Sequence, residues 1–130
     1  MKRLLLDTHL LLWWVAGDRR LGATSQRLIE AAQCAVSVVS LVEIDMKAAT
    51  GKLRLPKQKI DVMLQSAHIR ILPLGLADVQ AAARLMGRHP DPFDCLLAGT
   101  ALAQKLTLIT RDATLLKNAS ALLGPSLMEA

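Results

Sequence analysis

Aromatic residues and cysteines are scarce in this sequence of 130 residues. Phe, Trp and Tyr together make up 2% of the chain, which excludes an extended platform of aromatic rings for stacking nucleic-acid bases. The only cysteines, Cys34 and Cys95, lie in apolar surroundings, so there is no disulfide framework and we expect a reducing, cytoplasmic setting. No apolar run reaches the roughly 18 residues that span a bilayer, so no membrane association is expected.

Hydrophobic residues make up 52% of the chain, enough for the core of one compact domain, and we expect a single domain over residues 1–130. The opening is basic at Lys2 and Arg3 and then rich in leucine, as in a secretory signal peptide. Asp7 and His9 lie inside that apolar stretch and argue against a signal peptide.

The net charge is +5, from 16 Lys and Arg against 11 Asp and Glu. If several acids are gathered in one pocket, the remaining surface is more basic still. Such a surface attracts polyanions, of which nucleic acid is the commonest. With few aromatic residues, we expect contacts to the phosphate backbone, with Lys47, Lys52 and Arg111 as candidates.

Short apolar segments alternate with helical patterns along the chain. We expect strands at residues 3–6, 34–39, 69–74 and 106–110, and helices at 8–15, 24–32, 40–51, 56–66, 76–86, 91–105 and from 112 onward, with Ser40 as a helix cap. The strands are apolar along their whole length, which indicates a parallel sheet covered on both faces. The sequence therefore predicts an α/β three-layer sandwich with a central parallel sheet of four or five strands.

Four acids fall where such a sheet collects functional groups. Asp7 directly follows the first strand, Glu43 lies one turn into the helix after the second, and Asp112 comes two residues after the fourth. Parallel strands present their carboxyl ends along one edge, so these side chains are expected at the same rim. Asp94, near the start of the helix that leads to the fourth strand, joins them if its loop folds over that rim.

Each acid also has an ordinary structural explanation. Asp7 and Asp112 suit the N-cap position of a helix. Asp94 suits the third position of a helix capped by Asp91, where the helix dipole favours an anion. Glu43 suits an ion pair with the lysine four residues on. Taken singly, no acid indicates a site.

Taken together, the acids indicate a divalent cation. Two carboxylates about 5 Å apart repel by roughly 3 kcal/mol at an effective dielectric constant of about 20, and a bound cation removes that repulsion. Carboxylates are ligands that Mg²⁺ or Mn²⁺ prefers, whereas the lack of a Cys or His cluster argues against zinc. His9, His68 and His89 stand apart, and we assign each a surface or packing role.

The acids lie in four ordered stretches: LLLDTHLLLWW, VSVVSLVEIDMKAATGKL, HPDPFDCLLAGTALAQ and LTLITRD. In order and spacing these resemble the PIN-domain family and, more narrowly, the VapC-type toxin ribonucleases of bacterial toxin–antitoxin pairs. The resemblance extends from Leu4 to about Leu116. It implies a metal-binding catalytic site of four acids, with three polar neighbours that orient them: Asp7, Glu43, Asp94 and Asp112, with Thr8, Ser40 and Thr110.

The resemblance also implies an activity and partners. The expected activity is Mg²⁺- or Mn²⁺-dependent endoribonuclease cleavage of RNA by an activated water. A small antitoxin is expected to bind over the acidic rim and block it, and the toxin is expected to form a homodimer. Two positions depart from the family pattern: Cys95 stands where many relatives have a basic residue, and Val42 where many have Trp. Neither is an acid, so only substrate contacts near Cys95 are expected to differ.

Three other classes of protein also use acidic residues or basic surfaces on a fold of this kind. A phosphorelay receiver needs paired acids after the first strand and Lys after the last, where this chain has Asp7-Thr8 and Thr110-Arg111. A phosphatase with an aspartyl nucleophile needs a second Asp where His9 stands. A non-catalytic nucleic-acid or protein binding module, in which the acids are only helix caps, stays open as the alternative.

Overall fold

The structure, a computed structural model, describes residues 3–56 and 58–130. The basic start of the signal-like opening, at Met1 and Lys2, and position 57 of the expected fourth helix lie outside the described residues. Five strands form one sheet: β1 (Arg3–Leu6), β2 (Gln33–Ser37), β3 (Arg70–Leu72), β4 (Thr107–Thr110) and β5 (Leu127–Glu129). Their order is β3-β2-β1-β4-β5, and every neighbouring pair is parallel.

The described residues also form seven α-helices and two short 3-10 helices. The α-helices are α1 (Thr8–Ala16), α2 (Ala23–Ala31), α3 (Val38–Ala49), α4 (Ile60–Ser66), α5 (Leu76–Ala82), α6 (Pro92–Gln104) and α7 (Ala113–Leu123), and the 3-10 helices are Arg19–Leu21 and Gly124–Ser126. Within the described ranges, none of these helices is both long and apolar enough to cross a membrane.

Helices cover both faces of the sheet because successive side chains of a strand point to opposite faces. In β1, Leu4 and Leu6 pack with α1, α2 and α4, whereas Leu5 packs with α6 and α7. All three leucines are fully buried. A strand buried on both faces is therefore apolar throughout, and the expected three-layer α/β fold is confirmed.

One boundary of the fold differs from expectation in a way that matters for the acids. The expected strand 34–39 ends at Ser37, whose hydroxyl caps α3 by accepting a hydrogen bond from the Val39 N–H at 3.0 Å. Ser40 was therefore wrongly assigned as the cap. Val38 and Val39 favour a strand because they are β-branched, but the Ser37 cap starts the helix before them. Glu43 consequently lies in the second turn of α3, not the first.

Three other boundaries also differ. The helix expected from Pro56 begins at Ile60, because the intervening polar residues carry no apolar periodicity. The helix expected over residues 76–86 ends at Ala82, where the chain turns and buries Leu85 in the core. The strand expected over 69–74 is confined to Arg70–Leu72. The C-terminal strand β5 carried no recognisable pattern because it has only three residues and is at best half-buried.

The helix that carries Asp94, α6, packs closely against α5 at Gly99, and this contact sets its position. A Cβ atom added at Gly99 would lie 2.4 Å from the backbone carbonyl oxygen of Asp78 in α5 and 2.5 Å from the backbone nitrogen of Ala82. The buried carboxylate of Asp78 also accepts hydrogen bonds from Gln104 at 3.0 Å and from the Gly75 N–H at 2.9 Å. Both helices are thereby held together as one layer behind the sheet.

Candidate active site

The strand order of the sheet reverses between β1 and β4, which is a topological switch point. From β1 it proceeds to β2 and β3 on one side, and later returns to β4 and β5 on the other. In open parallel sheets, ligands bind beyond the carboxyl ends of the strands at such a reversal. Asp7 directly follows β1, and Asp112 comes two residues after β4. The topology thus brings both carboxylates to this position.

Asp7 is buried, with 4% of its surface exposed, and both of its carboxylate oxygens have partners. One oxygen caps α1 by accepting the Leu10 N–H at 2.8 Å. The other accepts a hydrogen bond from the Thr110 hydroxyl at the end of β4. The explanation of Asp7 as a helix cap is therefore correct, and the cap also aims the carboxylate across the β1–β4 junction.

Asp112 repeats this arrangement at the start of α7. Its carboxylate caps the helix by accepting the Leu115 N–H at 2.8 Å, and its own backbone N–H donates to the Thr110 hydroxyl oxygen at 3.1 Å. That hydroxyl in turn donates to Asp7. Thr110 therefore links the two acids directly, because one side chain bonds to both residues.

Asp94 occupies the third position of α6, behind Pro92 at the first position. As expected, Asp91 caps this helix, accepting the Phe93 N–H at 2.9 Å. Asp94 itself is not a cap. Its carboxylate lies at the amino end of the helix, where the backbone dipole favours negative charge.

Electrostatic coupling shows that three of these acids share one region. Burial raises the pKa of Asp7, hydrogen bonds from Thr110 and Leu10 oppose the rise, and the charge of Asp112 adds to it. Burial, with smaller contributions from the charges of Asp91 and Asp112, raises the pKa of Asp94 to about 6 against the opposing hydrogen bond from a histidine. Because the charge of Asp112 contributes to both pKa values, Asp112 lies within electrostatic reach of Asp7 and of Asp94.

Glu43 lies on α3, beside the start of α6. It is 7% exposed, and its carboxylate lies 3.0 Å from the Lys47 ammonium, so the expected ion pair is present. It lines a depression of about 340 Å³ together with residues 91–93 at the start of α6. One turn earlier in α3, Ser40 accepts a hydrogen bond from the Thr8 hydroxyl at 2.9 Å, which ties α3 to the start of α1 beside Asp7.

Within residues 3–56 and 58–130, no group of three or more His, Cys, Asp or Glu side chains is placed to hold a metal ion. Each acid is instead turned toward an internal partner: two cap helices, one pairs with Lys47, and one pairs with a histidine. The donor set is nevertheless all carboxylate oxygen, which suits Mg²⁺ or Mn²⁺. Metal binding by Asp7, Glu43, Asp94 and Asp112 stays a prediction.

His89 is the residue of this region that sequence reasoning missed. Its ring lies between α6 and α7, with Nε2 2.8 Å from a carboxylate oxygen of Asp94 and Nδ1 3.0 Å from the side-chain amide of Asn118. The expected surface or packing role is consistent with His9 and His68, which are exposed, and with His89, which is buried, but the hydrogen bond of His89 to Asp94 was not expected. Its position five residues before Asp94, within HPDPFD, was the available signal.

Arg111 was expected to contact nucleic acid, but its guanidinium is engaged inside the fold. It donates to the backbone carbonyl oxygens of Arg20 and Leu21 and, at 2.8 Å, to the Ser25 hydroxyl. It also lies 5.2 Å from the centroid of the Trp13 ring. These contacts hold the 3-10 helix Arg19–Leu21 against the end of β4, so Arg111 acts as a structural residue.

A basic cleft of about 380 Å³ lies beside the acids, between α1 and the chain that follows α3. Four cationic side chains line it: Arg20, Lys47, Lys52 and Arg54. Lys47 and Lys52 also line the depression that contains Glu43, so the two hollows adjoin. The cleft therefore offers positive charge next to the acidic site, which is the arrangement that a polyanion requires at a site of cleavage.

Comparison with known proteins agrees with this geometry. The family model described as the PIN domain matches residues 4–121. Ribonuclease VapC22 of Mycobacterium tuberculosis is 31% identical over 115 residues, covering 86% of this chain and 88% of that protein.

Solved structures share the fold at lower sequence identity. The toxin–antitoxin structure of DNA-bound VapBC from Salmonella typhimurium has a TM-score of 0.69 at 16% identity and covers 99% of this chain and 98% of that one. VapBC2 from Rickettsia felis, bound to a DNA fragment from its promoter, has a TM-score of 0.68 at 17% identity, with coverages of 98% and 97%. Together with the family model and the ribonuclease match, these findings show that the chain belongs to the PIN domain family and is of the VapC type.

Proposed function

We propose that this protein is a metal-dependent endoribonuclease and the toxin of a toxin–antitoxin pair, acting in the cytoplasm. The observation that carries the proposal is the convergence of Asp7, Asp94 and Asp112 around the β1–β4 junction, where the pKa values of two of them are raised partly by the charge of the third. A protein gains nothing in stability from bringing like charges together. A hard divalent cation gives them a function. The match to a ribonuclease supports RNA as the substrate.

The residues proposed to hold Mg²⁺ or Mn²⁺ are Asp7, Glu43, Asp94 and Asp112. Such a cation, when bound, supplies an activated water and neutralises charge on the phosphodiester. The chain's own contribution is to hold the carboxylates in place. Thr110 and the first turns of α1 and α7 hold two of them, Asp7 and Asp112, at the β1–β4 junction by hydrogen bonds.

The basic cleft is the proposed site for the RNA backbone. Lys52 and Arg54 are exposed and line it, whereas Lys47 is shared with Glu43. Contacts from these side chains to phosphates position RNA without reading its sequence. The Trp13 ring is not free for base stacking because Arg20 and Arg111 lie over it, at 5.4 and 5.2 Å from its centroid.

Non-catalytic binding is the alternative, and one observation favours it: Asp7 and Asp112 are both helix caps. Asn is as good an N-cap as Asp, since its side-chain oxygen accepts the same hydrogen bond. Asp→Asn substitutions at these positions therefore keep the caps and remove the charges. At Asp7 the new amide NH₂ faces Thr110 and donates to its hydroxyl oxygen, where the carboxylate accepts from it. The substitutions thus distinguish capping from a function that needs the charge.

We predict that Asp7→Asn and Asp112→Asn each reduce Mn²⁺-dependent cleavage of a labelled RNA to the level seen with EDTA, while the circular dichroism spectrum and melting temperature change little. Asp45→Asn is the matched control, because Asp45 is an exposed acid on α3 and outside the cluster. It is expected to cleave like the parent. Cleavage by the parent that survives EDTA or Asp7→Asn would exclude the metal mechanism, and a parent that cleaves no RNA would favour the binding module.

A second prediction concerns the cleft. In the Asp7→Asn background, which is expected to leave RNA intact, Lys52→Gln with Arg54→Gln should weaken binding of a single-stranded RNA. The slope of log K against log salt should fall by about 1.4, because each of the two lost phosphate contacts contributes roughly 0.7 for single strands. The control removes two exposed arginines elsewhere, Arg27→Gln and Arg84→Gln. Equal losses in both double variants would show that only net charge matters and that the cleft is not the site.

An antitoxin and a second copy of the chain are the proposed protein partners. Two observations support them: the similar solved structures include toxin–antitoxin complexes, and Val38, Val42 and Met46 form an exposed apolar stripe at four-residue spacing on α3. Exposed apolar side chains grouped on one helix are typical of protein contacts.

We predict that the chain, coexpressed with its adjacent reading frame, copurifies with that small protein and loses ribonuclease activity, and that light scattering gives twice the monomer mass. The control is coexpression with an unrelated small protein. A stable monomer that is harmless when expressed alone would contradict both partnerships.

A further inference from the structure

His89 is a buried polar residue to which the proposed mechanism assigns no function. We propose that His89, oriented by Asn118, is a positioning residue that holds the Asp94 carboxylate in place for the metal ion. The inference rests on the proposed function, since it explains how Asp94, one of the four proposed metal ligands, is oriented.

The Asp94 carboxylate needs a hydrogen-bond partner from another side chain to fix its orientation, whereas Asp7 and Asp112 do not. Asp7 and Asp112 cap helices, so backbone N–H groups fix their carboxylates at 2.8 Å. Asp94 lies inside the first turn of α6, where Asp91 takes the cap position. In the described part of the chain, the hydrogen bond with His89 is the only one made by the Asp94 carboxylate. Without it, no hydrogen bond would set the orientation of that carboxylate.

The hydrogen bonds of the ring correspond to one neutral tautomer. With the Asn118 side-chain nitrogen facing the ring, as the structure places it, His89 Nδ1 accepts its hydrogen bond at 3.0 Å. The neutral ring then carries its hydrogen on Nε2, which donates to the Asp94 carboxylate at 2.8 Å. A neutral imidazole is thus sufficient, and Asn118 selects the tautomer that can donate to the acid.

The ring is also held rigidly. Its side chain is 2% exposed, its backbone N–H donates to the Leu85 carbonyl oxygen at 3.2 Å, and its own carbonyl oxygen accepts from the Cys95 thiol at 3.8 Å. Asn118 belongs to α7, the helix capped by Asp112. The chain of contacts from α7 through His89 to α6 therefore fixes the Asp94 carboxylate relative to the helix that carries the next acid.

Partners of metal-binding side chains set their orientation, and removing such a partner typically lowers metal affinity by about 10- to 100-fold. Only one Asp94 oxygen is used by His89, and the other has no hydrogen-bond partner in the described ranges. The arrangement therefore orients the carboxylate while leaving an oxygen for a cation.

The test measures Mn²⁺ affinity in the absence of RNA, by electron paramagnetic resonance of the free ion, for the parent, His89→Leu, His89→Gln and Asn118→Leu. His89→Leu removes the donor and should weaken binding by about 10- to 100-fold. His89→Gln places an amide N–H near the former Nε2 and should recover most of that loss. Asn118→Leu keeps the ring but not its tautomer preference, so a smaller loss is expected. Melting temperatures recorded in parallel report the cost to folding.

The outcomes separate a positioning residue from a packing residue. If His89 only fills space, Leu and Gln lower the melting temperature but the folded proteins bind Mn²⁺ like the parent, which overturns the inference. The inference is also overturned if His89→Gln binds Mn²⁺ as weakly as His89→Leu does. If His89→Leu does not fold, the Mn²⁺ affinity of Asn118→Leu is the test: weakened binding supports the inference, and unchanged binding overturns it. A parent that binds no Mn²⁺ refutes the proposed function as well, whereas binding lost in Asp7→Asn and unchanged in His89→Leu refutes only the positioning role.

Discussion

Repulsion between carboxylates at the β1–β4 junction is the constraint on which the site depends. Burial raises the pKa of both Asp7 and Asp94, and the charge of Asp112 adds to each rise, so the fold holds these groups against their electrostatic preference. The protein offsets the repulsion with local hydrogen bonds. The Thr110 hydroxyl joins two of the acids, backbone N–H groups hold the same two, and His89 holds the third. No fully buried side-chain nitrogen or oxygen among the described residues lacks a hydrogen-bond partner, and the second Asp94 oxygen is left without one, available to a cation.

In the proposed function, the structural and chemical functions of these acids coincide. An aspartate directly after a parallel strand is well placed to start the next helix, and the same placement puts it at the edge where open α/β sheets bind ligands. Asp7 and Asp112 each cap a helix, and the proposal assigns the same carboxylates to the cation. This dual use explains why no single acid in the sequence distinguishes a cap from a ligand. Their convergence in space carries the argument.

Much of this arrangement could be predicted from the sequence, because it depends on local patterns and on one topological rule. Apolar runs located β1 and β4, and the rule for parallel strands placed Asp7 and Asp112 at one edge. The start of α3 was misplaced because β-branched valines outweighed the cap at Ser37. The link from Asn118 to His89 joins residues 29 apart, and the contacts of Arg111 with residues 20–25 span about two thirds of the chain. Such contacts depend on side-chain packing between elements, for which a single sequence carries no periodic signal.

The most direct test is a crystal of the protein soaked in Mn²⁺, with anomalous scattering used to locate the ion. The account predicts an ion among Asp7, Asp94 and Asp112, with Glu43 turned from Lys47 toward it. An ion bound elsewhere, or none at a concentration that supports RNA cleavage, would contradict it.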